Sequence, residues 1–160
     1  MKLADSLHES KFKKIAVDSS KRYGITKKVR VLQNKWVAVP LSWGWFRPVI
    51  VMPKGSETWT DKRKEVVLLH ELAHIKRSDF LSTIFAHTAS TLYWLNPLIW
   101  LALRKFYVER EKACDDYVLS SGTKPTIYAN NLLEIARSLT KAKWSSSFEL
   151  SMARALTSQE

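Results

Sequence analysis

The sequence predicts an α+β fold in which a small sheet of about three strands precedes a series of helices. Three short apolar runs between residues 29 and 53 are rich in Val, Ile and Trp, which is typical of strands. Capping residues, helical spacing of apolar residues and an Asn-Pro break predict helices in the later part of the chain. With 160 residues, 46% hydrophobic and 26% charged, the chain fits a single folded domain. We expect that domain over residues 1–143 and a flexible tail over residues 144–160.

The first element is predicted to be an amphipathic helix. Over residues 3–23, apolar residues recur at roughly helical spacing with lysines between them, and Gly24 offers a C-terminal stop. Residues 29–32 and 36–39 have the pattern of short strands joined by a polar turn. Pro40 is predicted to end the second strand.

Residues 48–53 form an apolar run with a proline at each end, and we expect a third strand there. Because proline cannot donate to a ladder, this strand is predicted at the edge of the sheet. An extended substrate can add to a sheet edge by main-chain hydrogen bonds, which makes Val49, Ile50 and Val51 a possible substrate-binding strand. A plain edge blunted by prolines is the alternative.

Thr60-Asp61 supply N-cap chemistry for the next helix, which is predicted to run to about Arg77 and contains the motif His-Glu-x-x-His at residues 70–74. On a helix, His70 and His74 lie one turn apart on one face, so both imidazoles can bind one metal ion. Zinc is the natural occupant, because catalytic zinc sites combine three protein ligands with an open position. Glu71 lies beside that position, where a carboxylate can take a proton from water. The alternative is a pair of ordinary surface or core histidines, although a Glu between two His has little structural reason to follow an apolar run.

Residues 80–103 contain no formally charged side chain and reach the length of a membrane span. Asn96-Pro97 interrupts this run, and proline favours the first turn of a new helix, so we expect two helices over about 79–95 and 97–120. At ~1.5 Å per residue, the two arms of such a hairpin have similar lengths. The second arm therefore returns the chain to the level of the two histidines.

Two acidic residues lie where the second arm returns. Glu111 is the candidate third zinc ligand, and Asp115 shares its helical face four residues later. Asp115 can accept the N–H of a ligating histidine and so fix its tautomer and orientation. The alternative is that both are surface acids on an exposed helix.

Four segments occur in an order that resembles one known family. They are Gly-Trp-Phe-Arg-Pro-Val-Ile-Val-Met-Pro at 44–53, His-Glu-Leu-Ala-His-Ile-Lys-Arg-Ser-Asp at 70–79, Tyr-Trp-Leu-Asn-Pro-Leu-Ile-Trp at 93–100 and Arg-Glu-Lys-Ala-Cys-Asp at 110–115. Over about residues 25–135 the chain is similar to the metallopeptidase domain of the bacterial beta-lactam sensor-transducer (antirepressor) family. The resemblance implies a zincin-like fold in which one zinc is bound, with the active-site helix and the long hairpin supplying the residues. Its metal ligands match His70, His74 and Glu111, its catalytic base matches Glu71, and the acid after the ligand Glu matches Asp115.

The resemblance also implies a biological setting. The activity is that of a gluzincin-type zinc endopeptidase in membrane-linked signal transduction, and the substrate is a cytoplasmic repressor or the enzyme's own tail. The domain is expected at the cytoplasmic face of the bacterial cell membrane, together with the transmembrane segments of a longer parent chain. The sequence departs from the family pattern in extent, since it contains neither clean transmembrane spans nor an extracellular sensor domain. We expect either an excised domain or a short member.

Other residues have roles that the sequence leaves open. A metalloprotease also needs a donor to the tetrahedral oxyanion, and the candidates are Tyr107, Arg104, Arg110 and His87. Asp79 is expected to cap the following helix rather than orient a ligand, and Cys114 to be a small buried apolar side chain. A further helix is predicted at about 126–140. In the tail, self-cleavage is predicted before a bulky residue such as Phe148.

The chain carries a formal net charge of +11. This charge indicates either a solvated basic face or attraction to an anionic membrane surface, and direct nucleic-acid binding is not expected because no signature for it is present. The single cysteine excludes an internal disulfide and favours a reducing compartment. Two alternatives to an enzyme stay open. One is a non-catalytic regulatory domain stabilised by zinc, and the other is a basic membrane-surface module without metal, in which His70, His74 and Glu111 diverge in space.

Overall fold

The computed structural model describes residues 2–134 and residue 137, with side chains from residue 12 onwards. The described chain is α+β, with a small mixed sheet and five α-helices, as predicted. In order, the elements are α1 (Lys2–Arg22), β1 (Arg30–Asn34), β2 (Leu41–Trp43), β3 (Val49–Pro53), a 3-10 turn (Lys54–Thr58), α2 (Asp61–Arg77), α3 (Asp79–Leu92), α4 (Pro97–Ser120) and α5 (125–134).

The sheet has the order β1-β3-β2, so the third strand is central. β3 pairs in parallel with β1 and antiparallel with β2. The prediction of an edge strand at 48–53 is therefore wrong, and with it the prediction that Val49, Ile50 and Val51 bind an extended substrate, because both edges of these residues are already paired. The two prolines lie at the strand ends, and the carbonyl oxygen of Pro48 still accepts a hydrogen bond from the amide of Arg30 at 3.0 Å.

The predicted strand at 36–39 is also wrong, because residues 35–39 form a turn and bends. The side-chain oxygen of Asn34 accepts a hydrogen bond from the amide of Trp36 at 2.8 Å, which turns the chain away from the sheet. The indole of Trp36 is 83% exposed as a result. The second strand follows Pro40 rather than preceding it.

The core lies between the sheet, α1 and α2. The helix predicted to begin at the Thr60-Asp61 cap and to run to about Arg77 is present, and Thr60 accepts a hydrogen bond from the amide of Arg63 at 3.3 Å. Apolar residues from these elements are buried together, among them Phe12, Ile50, Met52, Leu68, Leu69 and Leu72. This packing fixes one face of α2 and leaves the face with His70 and His74 towards α4.

A helical hairpin follows α2. Ser78 alone separates α2 from α3 and adopts the left-handed conformation, with φ 59°. The side chain of Asn96 accepts a hydrogen bond from the amide of Leu98 at 3.0 Å and caps α4, whose first residue is Pro97. The second arm is as predicted, whereas α3 ends at Leu92 rather than 95.

The remaining predictions concern the end of the chain. α5 begins as predicted, and the later part of the helix expected at 126–140 lies outside the described residues, as do the tail 144–160 and Phe148. Within the described part of the chain, none of the helices combines the length and the hydropathy that crossing a membrane requires.

Candidate metal centre

Three side chains from two helices converge on one point. The Nε2 atoms of His70 and His74 on α2 lie 3.2 Å apart. Oε2 of Glu111 on α4 lies 3.6 Å from Nε2 of His70 and 3.7 Å from Nε2 of His74. Two ligand atoms on a tetrahedral zinc, each at ~2.0–2.1 Å from the ion, are ~3.3 Å apart. The spacing of the three atoms therefore fits a zinc ion, with a fourth position left for a further ligand.

Asp79 supports His74. Its Oδ2 lies 2.8 Å from Nδ1 of His74, and the carboxylate is buried. Burial favours the neutral carboxyl, but hydrogen bonds from His74 and Cys114 and the charge of Arg77 outweigh it and lower the pKa of Asp79. The structure shows no side-chain cap at the start of α3, so the expectation that Asp79 is a cap is wrong. It orients a candidate ligand instead.

Cys114 is fully buried behind His74. Its thiol donates to Oδ2 of Asp79 at 3.2 Å, and burial together with the Asp79 carboxylate raises its pKa. The thiol is thus neutral and fills space beside the carboxylate, which agrees with its expected buried role. Together His74, Asp79 and Cys114 have the spacing of a second ligand group, but Asp79 already uses its oxygen to hold Nδ1 of His74.

His70 is supported through a hydroxyl. Its Nδ1 lies 2.8 Å from the hydroxyl of Tyr128 on α5, and that hydroxyl donates to Oδ1 of Asp115. The same carboxylate oxygen lies 3.4 Å from Nδ1 of His70. Asp115 therefore lies within reach of His70, where its predicted supporting role requires it, while Tyr128 has no predicted role at the site. No spacing in the sequence connects a Tyr on a later helix with a particular histidine.

These partners fix the tautomers of both imidazoles. With Nδ1–H directed to Asp79 in one ring and to Tyr128 in the other, the two Nε2 lone pairs face each other beside the carboxylate of Glu111. Such an arrangement needs a cation between the lone pairs. Burial lowers the pKa of His70, but hydrogen bonds with Asp115 and Glu111 outweigh it and raise the pKa to about 9, so a proton is the competitor of a metal here.

Arg110 holds Glu111 in place. Its Nη2 and Nε donate to Oε1 of Glu111 at 2.6 and 3.2 Å, and its Nη1 donates to Thr83 at 3.0 Å. The interaction with His70 outweighs burial and, together with Arg110, lowers the pKa of Glu111 to about 2. The carboxylate is thus ionised, with Oε1 bound to the guanidinium and Oε2 directed to the histidines.

A cleft of about 340 Å³ opens beside these ligands. Glu71, whose side chain is buried with 7% exposed, lines it together with β2 and the loop that follows. Among the described residues, β2 pairs with β3 on one side only, and its residues Leu41–Trp43 line the cleft. A second, mainly apolar pocket of about 160 Å³ is also lined by His70 and Glu71, together with Tyr128 and Leu132.

The four candidate oxyanion donors lie in different places. Arg110 lines the cleft, while Tyr107, His87 and Arg104 are not among its lining residues. The hydroxyl of Tyr107 and Nε2 of His87 bond to each other at 2.6 Å farther along the hairpin. His70, His74 and Glu111 do converge, which contradicts the geometry expected of a metal-free surface module.

Comparison with known proteins supports the same assignment. The sequence matches the family described as BlaR1 peptidase M56 over residues 1–157. It is 35% identical over 94 residues to "Regulatory protein BlaR1" of Bacillus licheniformis, which covers 59% of this chain and 16% of that protein. It is 28% identical over 107 residues to "Methicillin resistance mecR1 protein" of Staphylococcus aureus, covering 66% of this chain and 18% of the relative.

A further relative is "Regulatory protein BlaR1" of Staphylococcus aureus, at 26% identity over 111 residues, 68% of this chain and 19% of that protein. The chain thus spans less than a fifth of the length of each of these three relatives.

Proposed function

The chain belongs to the BlaR1 peptidase M56 family, and on that premise we propose that it is the catalytic domain of a zinc-dependent endopeptidase of the gluzincin type. A metallopeptidase domain is what the family name itself suggests. The observation that carries the proposal is the convergence of His70, His74 and Glu111 beside a cleft that Glu71 lines. A purely structural zinc site has no use for a carboxylate at that place.

In the proposed reaction, a bound Zn²⁺ would polarise the scissile carbonyl and lower the pKa of water to ~7. Glu71 takes the proton from the attacking water and hands it to the leaving amine. Asp79 and Tyr128 hold the two imidazoles in the tautomer that leaves Nε2 free, and Arg110 holds Glu111 by its other oxygen. Arg110 is also the candidate oxyanion donor that lies in the cleft.

The free edge of β2 is the proposed docking strand for the substrate. An extended segment laid antiparallel to Leu41–Trp43 makes main-chain hydrogen bonds with β2 and crosses the cleft beside Glu71. The adjoining pocket, bordered by Val66, Val67 and Leu132, then accepts one apolar side chain of the substrate.

The proposed setting is signal transduction at the cytoplasmic face of a bacterial membrane. The printed names of the relatives, a regulatory protein and a methicillin resistance protein, support a role in the response to beta-lactams. We propose a protein substrate, either a cytoplasmic repressor or the tail of the chain itself, and membrane segments of a longer parent chain as the partner. A non-catalytic, zinc-stabilised regulatory domain is the second candidate.

The test is metal content together with cleavage. Purified chain is expected to bind about one zinc, and a protein substrate such as casein or the candidate repressor is expected to be cut. Glu71→Gln should retain the zinc and lose activity by ~10²–10⁴-fold, because the proton acceptor is gone.

Glu65→Gln is the matched control on the same helix, since Glu65 pairs with Arg22 on the surface away from the cleft. Equal cleavage by wild type and Glu71→Gln would contradict the proposed chemistry. If wild type and both variants bind zinc but none of them cleaves the substrate, the non-catalytic regulatory domain is favoured. For self-cleavage, tail clipping before Phe148 must be lost in Glu71→Gln.

A further inference from the structure

The hairpin tip, residues 92–101, carries an apolar surface that is exposed in the part of the chain that the structure describes. Seven of its apolar residues have more than half of their area exposed, and these are Leu92, Tyr93, Trp94, Leu95, Leu98, Trp100 and Leu101. Phe85, on α3 before the tip, is 71% exposed. Contiguous apolar surface of this kind marks a binding surface rather than a solvated one.

Many polar groups of the hairpin are hydrogen-bonded within the hairpin itself. Each of the five Ser and Thr hydroxyls of α3 donates to a backbone carbonyl of α3 itself. At the tip, Asn96 accepts from the amide of Leu98, and the indole N–H of Trp100 donates to the carbonyl of Trp94 at 2.9 Å. Such internal pairing is what a nonpolar solvent requires of hydroxyl, amide and indole groups.

The first charged residues after the tip lie a short distance along α4. Residues 80–103 contain no charged side chain, and Arg104 and Lys105 follow, both exposed. At ~1.5 Å per residue, Arg104 lies ~10 Å along α4 from Pro97. Amphipathic elements that lie in a membrane interface bury their apolar part by ~5–10 Å, with Lys and Arg at the headgroups and Trp and Tyr at the boundary.

We propose that the hairpin tip inserts into one leaflet of an anionic lipid bilayer, with Arg104 and Lys105 at the headgroups. The excess of 26 basic over 15 acidic residues in the chain gives the charge complementarity for an anionic surface. A second copy or a partner protein would cover the same apolar side chains but gives no reason for the basic pair above them. The insertion is monotopic, since no described helix is long and apolar enough to cross.

This inference does not rest on the proposed activity, because it uses no residue of the metal centre. It places the candidate metal centre near the membrane, since Glu111 lies seven residues beyond Arg104 on α4, which corresponds to ~10 Å.

The first test is flotation of the chain with vesicles of phosphatidylcholine mixed with phosphatidylglycerol. Wild type is expected to float with these vesicles, and Trp94→Glu combined with Leu95→Glu to lower the bound fraction at least about tenfold. Trp36→Glu is the matched control, because Trp36 is 83% exposed and lies outside the hairpin, in the turn between β1 and β2. Circular dichroism checks that all variants are folded.

The second readout reports the location of the tip. A polarity-sensitive fluorophore on Leu95→Cys is expected to shift to the blue and to become protected from an aqueous quencher when vesicles are added, while the same probe on Trp36→Cys stays in water. Cys114 is fully buried and does not compete for the label. Exchange of phosphatidylglycerol for phosphatidylcholine should weaken binding of wild type, and so should Arg104→Gln with Lys105→Gln.

Three results would overturn the proposal. The first is flotation of the tip variant at the wild-type level, and the second is an equal loss of flotation in Trp36→Glu. The third is a concentration-dependent dimer of wild type that the tip variant loses in sedimentation experiments without any change in vesicle binding, which would assign the surface to a second copy. Glu71→Gln is expected to lose protease activity but to bind vesicles like wild type. The proposed enzyme activity and the proposed membrane insertion can therefore fail independently.

Discussion

The two histidines of the candidate metal centre are held in different ways. On one side of the centre, His74 bonds directly to a carboxylate that is 5% exposed and lies five residues later in the chain. On the other side, His70 bonds to the neutral hydroxyl of Tyr128, 58 residues away, and reaches the carboxylate of Asp115 through it. The Asp115 side chain is 36% exposed. The support of His74 is a buried carboxylate close to it in the chain. The support of His70 is a neutral hydroxyl from a distant helix, backed by a partly exposed carboxylate.

This difference separates two structural requirements of one metal site. The support of His74 depends on the junction of α2 and α3, which directly follows the helix that carries His74. The support of His70 depends on α5, which must pack against α2 before Tyr128 can reach Nδ1. The centre is therefore complete only when the chain after α4 is folded onto it.

The largest effect is expected on the His74 side. Asp79→Asn should weaken zinc binding by about 10–100-fold, because the imidazole of His74 loses the charged acceptor that orients it. Competition with a chromophoric chelator at constant pH measures the affinity. Asp116→Asn is the control, since Asp116 is an exposed acid on α4. An unchanged affinity in Asp79→Asn would mean that the buried carboxylate serves the fold and not the ligand.

A smaller effect is expected on the His70 side. Tyr128→Phe should weaken zinc binding only a few-fold, because Asp115 already lies 3.4 Å from Nδ1 of His70 and can accept its proton directly. The same competition assay applies, with Tyr107→Phe as the control because Tyr107 bonds to His87 away from the cleft. A loss as large as that in Asp79→Asn would erase the proposed difference between the two supports.

The smallest effect concerns the junction behind His74. Ser78→Gly should stabilise the metal-free chain by about 0.5–1 kcal/mol, because a non-glycine residue at φ 59° carries a steric penalty that glycine avoids. Urea unfolding measures the change. Ser121→Gly, at a C-cap with φ −76°, should give no gain. A destabilised Ser78→Gly would indicate that the stiffness of this residue matters more to the junction than its strain does.

The sequence predicts the helical part of the site well, for physical reasons. The period of α2 fixes His70 and His74 on one face, and the Asn-Pro break divides the apolar run into arms of matched length, so that Glu111 returns to them. Both arguments use only helix geometry and local capping. The convergence of the three residues then follows without knowledge of the sheet.

The remainder depends on interactions between distant segments. Prolines at both ends of 48–53 suggest an edge strand, but the position of a strand in the sheet depends on which other strands pair with it. The turn at Asn34 also moves the second strand on to Leu41. The role of Asp79 depends on the direction in which α3 leaves Ser78. Tyr128 requires the packing of α5, which no local pattern encodes.

The shortness of β2 has a consequence for selectivity in the proposed enzyme. A strand of three residues spans only ~10 Å, so it can pair with the backbone of a substrate at very few positions. It therefore provides almost no selectivity for the substrate's sequence. Discrimination between correct and wrong targets must then arise from local concentration. A segment tethered near the cleft is then cut faster than the same segment free in solution, because tethering gives it a high effective molarity there.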